Sequence, residues 1–335
     1  MSATPSETTH DVVAIGSAIV DVLSHAEDDF LTSRSMAKGT MALIEDEADA
    51  EKLYGEMGPG VEASGGSAAN TVAGVASFGG RAGFIGRVRD DQLGRVFAHD
   101  IRAAGVDFRN TPATEGPSTA RCLVLITPDA QRTMHTYLGI AGQLSVADLD
   151  VDLVSGAAVL YCEGYLWDRP ETKTVITRAM DLAHDHGRKV AFTLSDPFCV
   201  DRHRAEFREL AEERVDILFA NEAEICSLYE VDGFDEALQH VRHHCEIACL
   251  TRSEKGSVIV SGDEVHVVDA TPRGGVVDTT GAGDLYAAGF LHGHATGHDL
   301  VTSGRLGSLA AGEVIAHVGA RPEERLADLA AEVLR

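Results

Sequence analysis

Asp278-Thr-Thr-Gly-Ala-Gly-Asp-Leu-Tyr-Ala-Ala-Gly-Phe290 is the stretch on which the reading of this chain turns. It sets two glycines and a carboxylate where a helix should begin. Gly281 and Gly283 allow backbone angles and close approach that a side chain would block. Ala287, Ala288 and Gly289 are small enough for the helix to pack tightly against a neighbour. Unpaired N–H groups at a helix start, reinforced by the macrodipole, attract an anion. An acidic group beside that anion is placed to take a proton from an attacking hydroxyl. Alone, the same residues also read as a Gly-rich turn with Asp284 as a simple N-cap. The rest of the chain decides between the two.

A chain of 335 residues holds about two domains, or one large α/β domain with a small appendage. Its 28 basic and 53 acidic residues leave a net charge of −25. That balance argues against nucleic acid or an anionic membrane as a partner. An anionic ligand then needs local attraction from helix ends, an arginine or a metal ion. Six cysteines (Cys122, Cys162, Cys199, Cys226, Cys245 and Cys249) form no C-x-x-C pair, and scattered thiols suit a reducing cytoplasm. Met1–His10 shows no export signal and no 18-residue apolar run exists, so a soluble protein is expected. His292, His294 and His298 read as a solvated helix end and loop in preference to a metal site.

Short apolar runs of strand length recur at Val12–Ile15, Gly83–Ile85, Val159–Tyr161, Val190–Leu194, Ile217–Phe219 and Ile247–Leu250. Helical patterns lie between them. Val175, Ile176, Ala179, Leu182 and Ala183 share one face, and Gly187 supplies a stop. This alternation predicts a mainly parallel sheet with helices on both faces, a three-layer α/β/α sandwich. Ligands of such sheets bind beyond the carboxyl ends of the strands. Residues 19–46 and about 106–140 break the pattern with short alternating segments such as Arg121–Ile126 and Thr133–Leu138. They read as a small β-rich lid inserted into one domain spanning 1–335.

Further motifs gather at strand ends. Gly65-Gly-Ser-Ala-Ala-Asn70 opens a small-residue helix. Its glycines admit a ligand to the backbone, and Asn70 offers both a donor and an acceptor. Asp21, after the first strand, suits a ribose diol. Asn221-Glu-Ala-Glu224 is a capping box in form. No Gly-Lys dipeptide occurs, which excludes a P-loop, and Tyr286 stands where a dinucleotide fingerprint needs glycine. No H-R-D and D-F-G pair is present.

Asp278, Thr279, Gly281, Ala282, Gly283 and Asp284 complete the D-T-x-G-A-G-D signature of the ribokinase-like (PfkB) family of sugar and nucleoside kinases, and the chain resembles that family from Val12 to about Pro322. The resemblance implies a ribokinase-like fold, ATP as co-substrate and Mg²⁺. It implies that the amides of Gly281, Ala282 and Gly283 hold the transferring phosphoryl group, with Asp284 as general base. It assigns Asp21, Gly65, Gly66 and Asn70 to the acceptor and Arg132 to the phosphates from the lid. Asn221, Thr251, Arg252 and Gly256 fall to the nucleotide. Glu224 falls to the Mg²⁺ shell through water, and Asp278 and Thr280 to a monovalent cation such as K⁺. Ser17 replaces a common asparagine.

Within the family, Leu194-Ser-Asp-Pro-Phe198, Asp216–Glu222 and Gly65–Thr71 look most like adenosine kinase, although Asp196 stands where adenosine kinases usually carry alanine. The expected activity is transfer of the γ-phosphate of ATP to the primary hydroxyl of a purine ribonucleoside, adenosine first, with a sugar kinase for ribose or fructose as the alternative. No residue pattern identifies an aromatic pair for a purine or places Trp167. A non-catalytic nucleoside sensor would not need Asp284, and a nucleoside hydrolase would need tighter acidic spacing than Asp21, Asp28 and Asp29 offer. A monomer or homodimer fits equally.

Overall fold

The computed structural model describes residues 8–129 and 131–334. Residues 1–7, on which the expectation for the amino terminus largely rests, lie outside the described residues. The strands among them are β1 His10–Ile15, β2 Ile19–His25, β3 Met41–Leu43, β4 Gly60–Gly65, β5 Ala82–Ile85, β6 Asp107–Phe108, β7 Ala120–Ile126, β8 Arg132–Tyr137, β9 Ala157–Glu163, β10 Lys189–Thr193, β11 Ile217–Asn221, β12 Ile247–Thr251, β13 Ser257–Ser261 and β14 Glu264–Val268.

Nine of them form one sheet in the order β14-β13-β12-β11-β10-β9-β1-β5-β6. From β12 to β6 every neighbouring pair is parallel, and β13 and β14 extend the edge antiparallel. The apolar runs are the reason. A strand buried on both faces needs apolar side chains at consecutive positions. In β1, Val12 and Ala14 enter one core while Val13 and Ile15 enter the other. The first core packs under helices Ser67–Ser77, Ala282–Ala295 and Leu300–Val314, the second under Pro170–Asp185, Pro197–Glu213 and Glu222–Tyr229. These are the three layers of an α/β/α sandwich. The small residues after Asp284 explain the close helix pairing, since a Cβ at Gly289 would lie 2.3 Å from the Leu306 carbonyl oxygen.

The other five strands form a second sheet in the order β3-β8-β7-β2-β4. One of its faces rests on Leu53 of helix Glu47–Glu56, where Val22 and Leu123 meet it. Two boundaries differ from the sequence expectation. β4 lies beyond residue 46, and its first residues, Gly60 and Val61, are exposed on an edge strand. β6 falls within 106–140 yet pairs with β5 in the main sheet.

His298 is exposed in the loop as expected, and His292 and His294 lie in the last helical turn but are half-buried, not solvated. His292 and His294 sit inside helix Ala282–Ala295, stacked on Phe78 at 5.0 Å and on Phe290 at 6.2 Å. Burial lowers the basicity of both. Trp167 is buried against Phe192 and Phe207 in the core. Among the described residues no cluster of three or more His, Cys, Asp or Glu side chains is arranged to hold a metal ion, and no helix is long and apolar enough to cross a membrane.

Candidate active site

Chain order brings the ends of β1, β9, β10, β11 and β12 to one edge of the main sheet, and the helix beginning at Ala282 points its amino end there. Gly281 is its N-cap, with φ +78°, and no side chain caps the helix. A Cβ at Gly281 would lie 2.7 Å from the Ala320 Cα, so both conformation and space demand glycine. A Cβ at Gly283 would meet nothing within 4 Å. The Ala282 N–H donates to the Thr279 carbonyl at 3.2 Å. The amide edge left open is therefore that of Gly283, among the N–H groups a first helical turn cannot satisfy.

Asp284 projects beside this edge. Ser67 Oγ donates to its Oδ1 at 2.6 Å and Asn70 Nδ2 to its Oδ2 at 3.0 Å. Burial pushes its carboxyl up, and these two hydrogen bonds hold it down. Ser67 and Asn70 are three residues apart on helix Ser67–Ser77 and so share a face. That spacing is the signal by which Ser67, absent from the sequence reading, was discoverable.

On one side of Asp284 lie the residues expected to hold the acceptor. Asp21, on β2, is pushed up to about 7 by burial, against the opposing pull of Arg321 and Arg132. Its carboxylate lies so close to Gly65 that a Cβ there would meet Oδ2 at 2.4 Å. Gly66, at φ +94°, caps the helix and would meet the Ser17 carbonyl oxygen at 2.3 Å if it carried a Cβ. Beneath them is Glu163, fully buried, which accepts from Ser17 N–H at 2.7 Å and Ala68 N–H at 2.9 Å. Burial pushes it up to about 7. Glu163 ties the end of β1 to the start of helix Ser67–Ser77. No motif surrounds it, so sequence reading passed it by.

On the other side a cleft of about 1300 Å³ runs from Ser67 and Asp284 to Arg252 and Phe234. Asn221, Glu224, Thr251, Arg252 and Gly256 all line it. Arg252 is not a free positive charge, because it grips Glu222 at 3.1 and 3.3 Å and lies 3.9 Å over the Phe234 ring. Asn221 and Glu224 form the capping box: the Glu224 N–H donates to Asn221 Oδ1 at 2.9 Å, and the Asn221 N–H to Glu224 Oε2 at 2.9 Å. Burial, with a smaller push from Asp196 and Asp284, raises Glu224 to about 7.

Arg132 reaches from β8 in the second sheet to the loop before Gly281. Its Nη2 lies 2.5 Å from Asp278 Oδ2 and its Nη1 donates to Thr280 Oγ1 at 3.1 Å. Asp278 further accepts from the Thr280 N–H, Thr280 Oγ1 and the Gly319 N–H. A guanidinium thus lies on the pair for which the resemblance implied a monovalent cation.

The model of the pfkB family carbohydrate kinases matches residues 10–325. The chain belongs to the PfkB family of carbohydrate kinases. It is similar to the crystal structure of a probable sugar kinase from Rhizobium etli, with TM-score 0.92 and 49% identity, covering 97% of this chain and 98% of that one. It is also similar to an adenosine kinase from Sinorhizobium meliloti, with TM-score 0.91 and 51% identity over 97% of this chain and 99% of that one. Among curated relatives, a 5-dehydro-2-deoxygluconokinase from Geobacillus kaustophilus is 28% identical over 262 residues, 75% of this chain and 78% of its own. This PfkB kinase is an enzyme that phosphorylates a hydroxyl of a sugar or nucleoside, with ATP as the implied co-substrate.

Proposed function

We propose that this PfkB kinase transfers the γ-phosphate of ATP to the primary hydroxyl of a purine ribonucleoside, adenosine being the first acceptor to test. The observation that carries the reading is Asp284, held by Ser67 and Asn70 beside an open helix end, between a long cleft and the Asp21, Gly65 and Asn70 group. Asp284 takes the proton of the hydroxyl as it attacks. Its raised basicity suits the task. Gly283, with the neighbouring Gly281 backbone, receives the charge that builds on the transferring group, the Ala282 N–H being taken by the Thr279 carbonyl, and Arg132 adds positive charge from the second sheet, whose strands act as a lid. Asp21, Gly65, Gly66 and Asn70 orient the acceptor diol. Asn221, Thr251, Arg252 and Gly256 hold the nucleotide.

The cleft fits Mg²⁺, because Glu224 brings a buried hard-oxygen donor to it and Mg²⁺ keeps several of its waters. Glu224 would hold the ion through water, and the ion would neutralise phosphate charge. Asp278 and Thr280 remain the candidates for a monovalent cation if Arg132 withdraws.

The likeness to the Sinorhizobium adenosine kinase supports the nucleoside reading. The likeness to the probable sugar kinase, together with the burial of Trp167 in the core, supports a free-sugar acceptor as the alternative. ATP consumption measured with adenosine, inosine, cytidine, ribose and fructose separates them. Adenosine should have the highest kcat/KM, by about tenfold or more, the span that a few pocket contacts supply. A sugar in first place would replace it.

A further inference from the structure

We propose that Arg321 is an acceptor-binding residue, whose Nη2 donates to a hydroxyl oxygen of a neutral polyol while its Nε fixes the amide of Asn70. This assignment rests on the kinase reading above and narrows its acceptor class. Arg321 follows helix Leu300–Val314 in a polar stretch, Gly319-Ala-Arg-Pro-Glu-Glu-Arg325, whose composition reads as surface loop. The fold instead turns its guanidinium inward. Its Nε–H donates to Asn70 Oδ1 at 3.3 Å, and its Nη2 is buried with no hydrogen-bond partner.

The same Asn70 side chain gives its Nδ2 to Asp284 at 3.0 Å. Arg321 and Asp284 therefore hold opposite ends of one amide and forbid its flip. One lone pair of Asn70 Oδ1 is taken by Arg321, and the bare Nη2 adds an unused donor next to the amide. A charged donor left unsatisfied inside the protein is costly. The cost is recovered when a ligand oxygen arrives.

Charge selects the ligand class. Asp21 and Asp100 both lie near enough to stabilise the Arg321 cation, yet burial still pulls it down to about 10. Asp284 adds a third carboxylate on the same side, and Arg132 is already paired with Asp278. A sugar acid or sugar phosphate would bring a further negative charge into this group. A neutral compound with vicinal hydroxyls, shared between the Arg321 donor and the Asp21 acceptor, meets no such repulsion.

The test uses the full chain with Mg²⁺, ATP and the best acceptor among adenosine, inosine, ribose and fructose. Arg321→Met should raise the acceptor KM by about 10- to 100-fold, the span of a hydrogen bond to a charged group. It should leave the ATP KM unchanged, while kcat falls by less than the acceptor KM rises, because Asn70 loses its anchor but keeps its bond to Asp284. The acid limb of kcat/KM should move to higher pH. Asp21 faces Arg321, Arg132, Asp284 and the Cys122 thiol, and loses one of its two cations in this variant. Arg321→Lys should bring the limb back. An acceptor KM within about threefold of wild type, or a limb unmoved in Arg321→Met, overturns the assignment. If Arg321→Met does not fold, Arg321→Gln set against Arg321→Lys makes the same comparison. A wild type that phosphorylates none of the four compounds defeats the kinase reading and this assignment with it. Normal wild-type turnover with an unmoved KM defeats this assignment alone.

Discussion

One methyl group added at Gly281, and one added at Gly283, should have opposite effects on stability and the same effect on catalysis. At Gly281 an alanine must adopt φ near +78°, which costs about 1–2 kcal/mol. Its Cβ would also lie 2.7 Å from the Ala320 Cα and 2.8 Å from the Ala320 oxygen, both backbone atoms. Relieving such overpacking costs about 1–3 kcal/mol more. At about 2.1 cal/mol/K of unfolding entropy per residue, a chain of 335 residues loses about 1.4 °C per kcal/mol. The loss of about 2–5 kcal/mol is then a fall in Tm of about 3–7 °C.

Gly283 is helical, and its Cβ position is empty. Alanine there should gain up to about 1 kcal/mol and leave Tm unchanged or about 1 °C higher. The added methyl keeps the Gly283 N–H but stands where the phosphoryl group would sit, so Gly283→Ala should still lower kcat by about 10²–10³-fold, the size of the loss when the transferring group is pushed away from one preorganised donor. Thermal unfolding by calorimetry and steady-state ATP turnover decide the matter. A Gly283→Ala enzyme with kcat within about threefold of wild type would refute the reasoning, whatever its Tm.

Three further outcomes are expected. Ser67→Ala removes one of the two hydrogen bonds on Asp284 and should reduce kcat about 10-fold or more, with the ATP KM unchanged; an unaltered kcat would show that Ser67 does not orient the base. Asp21 is at about 7 and must be ionised to accept hydroxyl protons, so kcat/KM for the acceptor should fall below about pH 7 and by about tenfold per unit further down. A flat profile from pH 5.5 to 8 would contradict its role. Because Arg132 already lies on Asp278 and Thr280, rates in sodium-free buffer should agree within about twofold between potassium and tetramethylammonium, since a guanidinium and a bound cation offer the same charge. Activation by potassium of about tenfold or more would mean that the arginine leaves and a cation takes its place.

The features legible in the sequence were those whose physics is local. Val12–Ile15 and Val190–Leu194 read as buried strands because both faces of a parallel strand are apolar. Asp278–Asp284 alone read equally as a Gly-rich turn capped by Asp284, and they read as an anion corner through the match to the whole D-T-x-G-A-G-D signature. The Asn221–Glu224 box follows from spacing alone. β4 escaped because an edge strand starting Gly60-Val61-Glu62, half in solvent, carries little alternation. Glu163 is one carboxylate at the end of an apolar run, and only the fold shows that two amides from distant segments converge on it.

Arg321 lies 251 positions from Asn70 along the chain, within a segment of surface-like composition. Its burial is a consequence of topology. Arg252 illustrates the reverse case. Its position in the cleft was readable, but its pairing with Glu222 was not, and that pairing removes the free charge the sequence suggested.

The central claim is tested most directly by the turnover of Asp284→Asn with saturating ATP and acceptor. Asparagine keeps the size of the side chain and removes its basicity, so kcat should fall by about 10²–10⁴-fold while calorimetric binding of ATP is retained. A variant that turns over within about threefold of wild type would contradict the account, because the group between cleft and acceptor would then carry no proton.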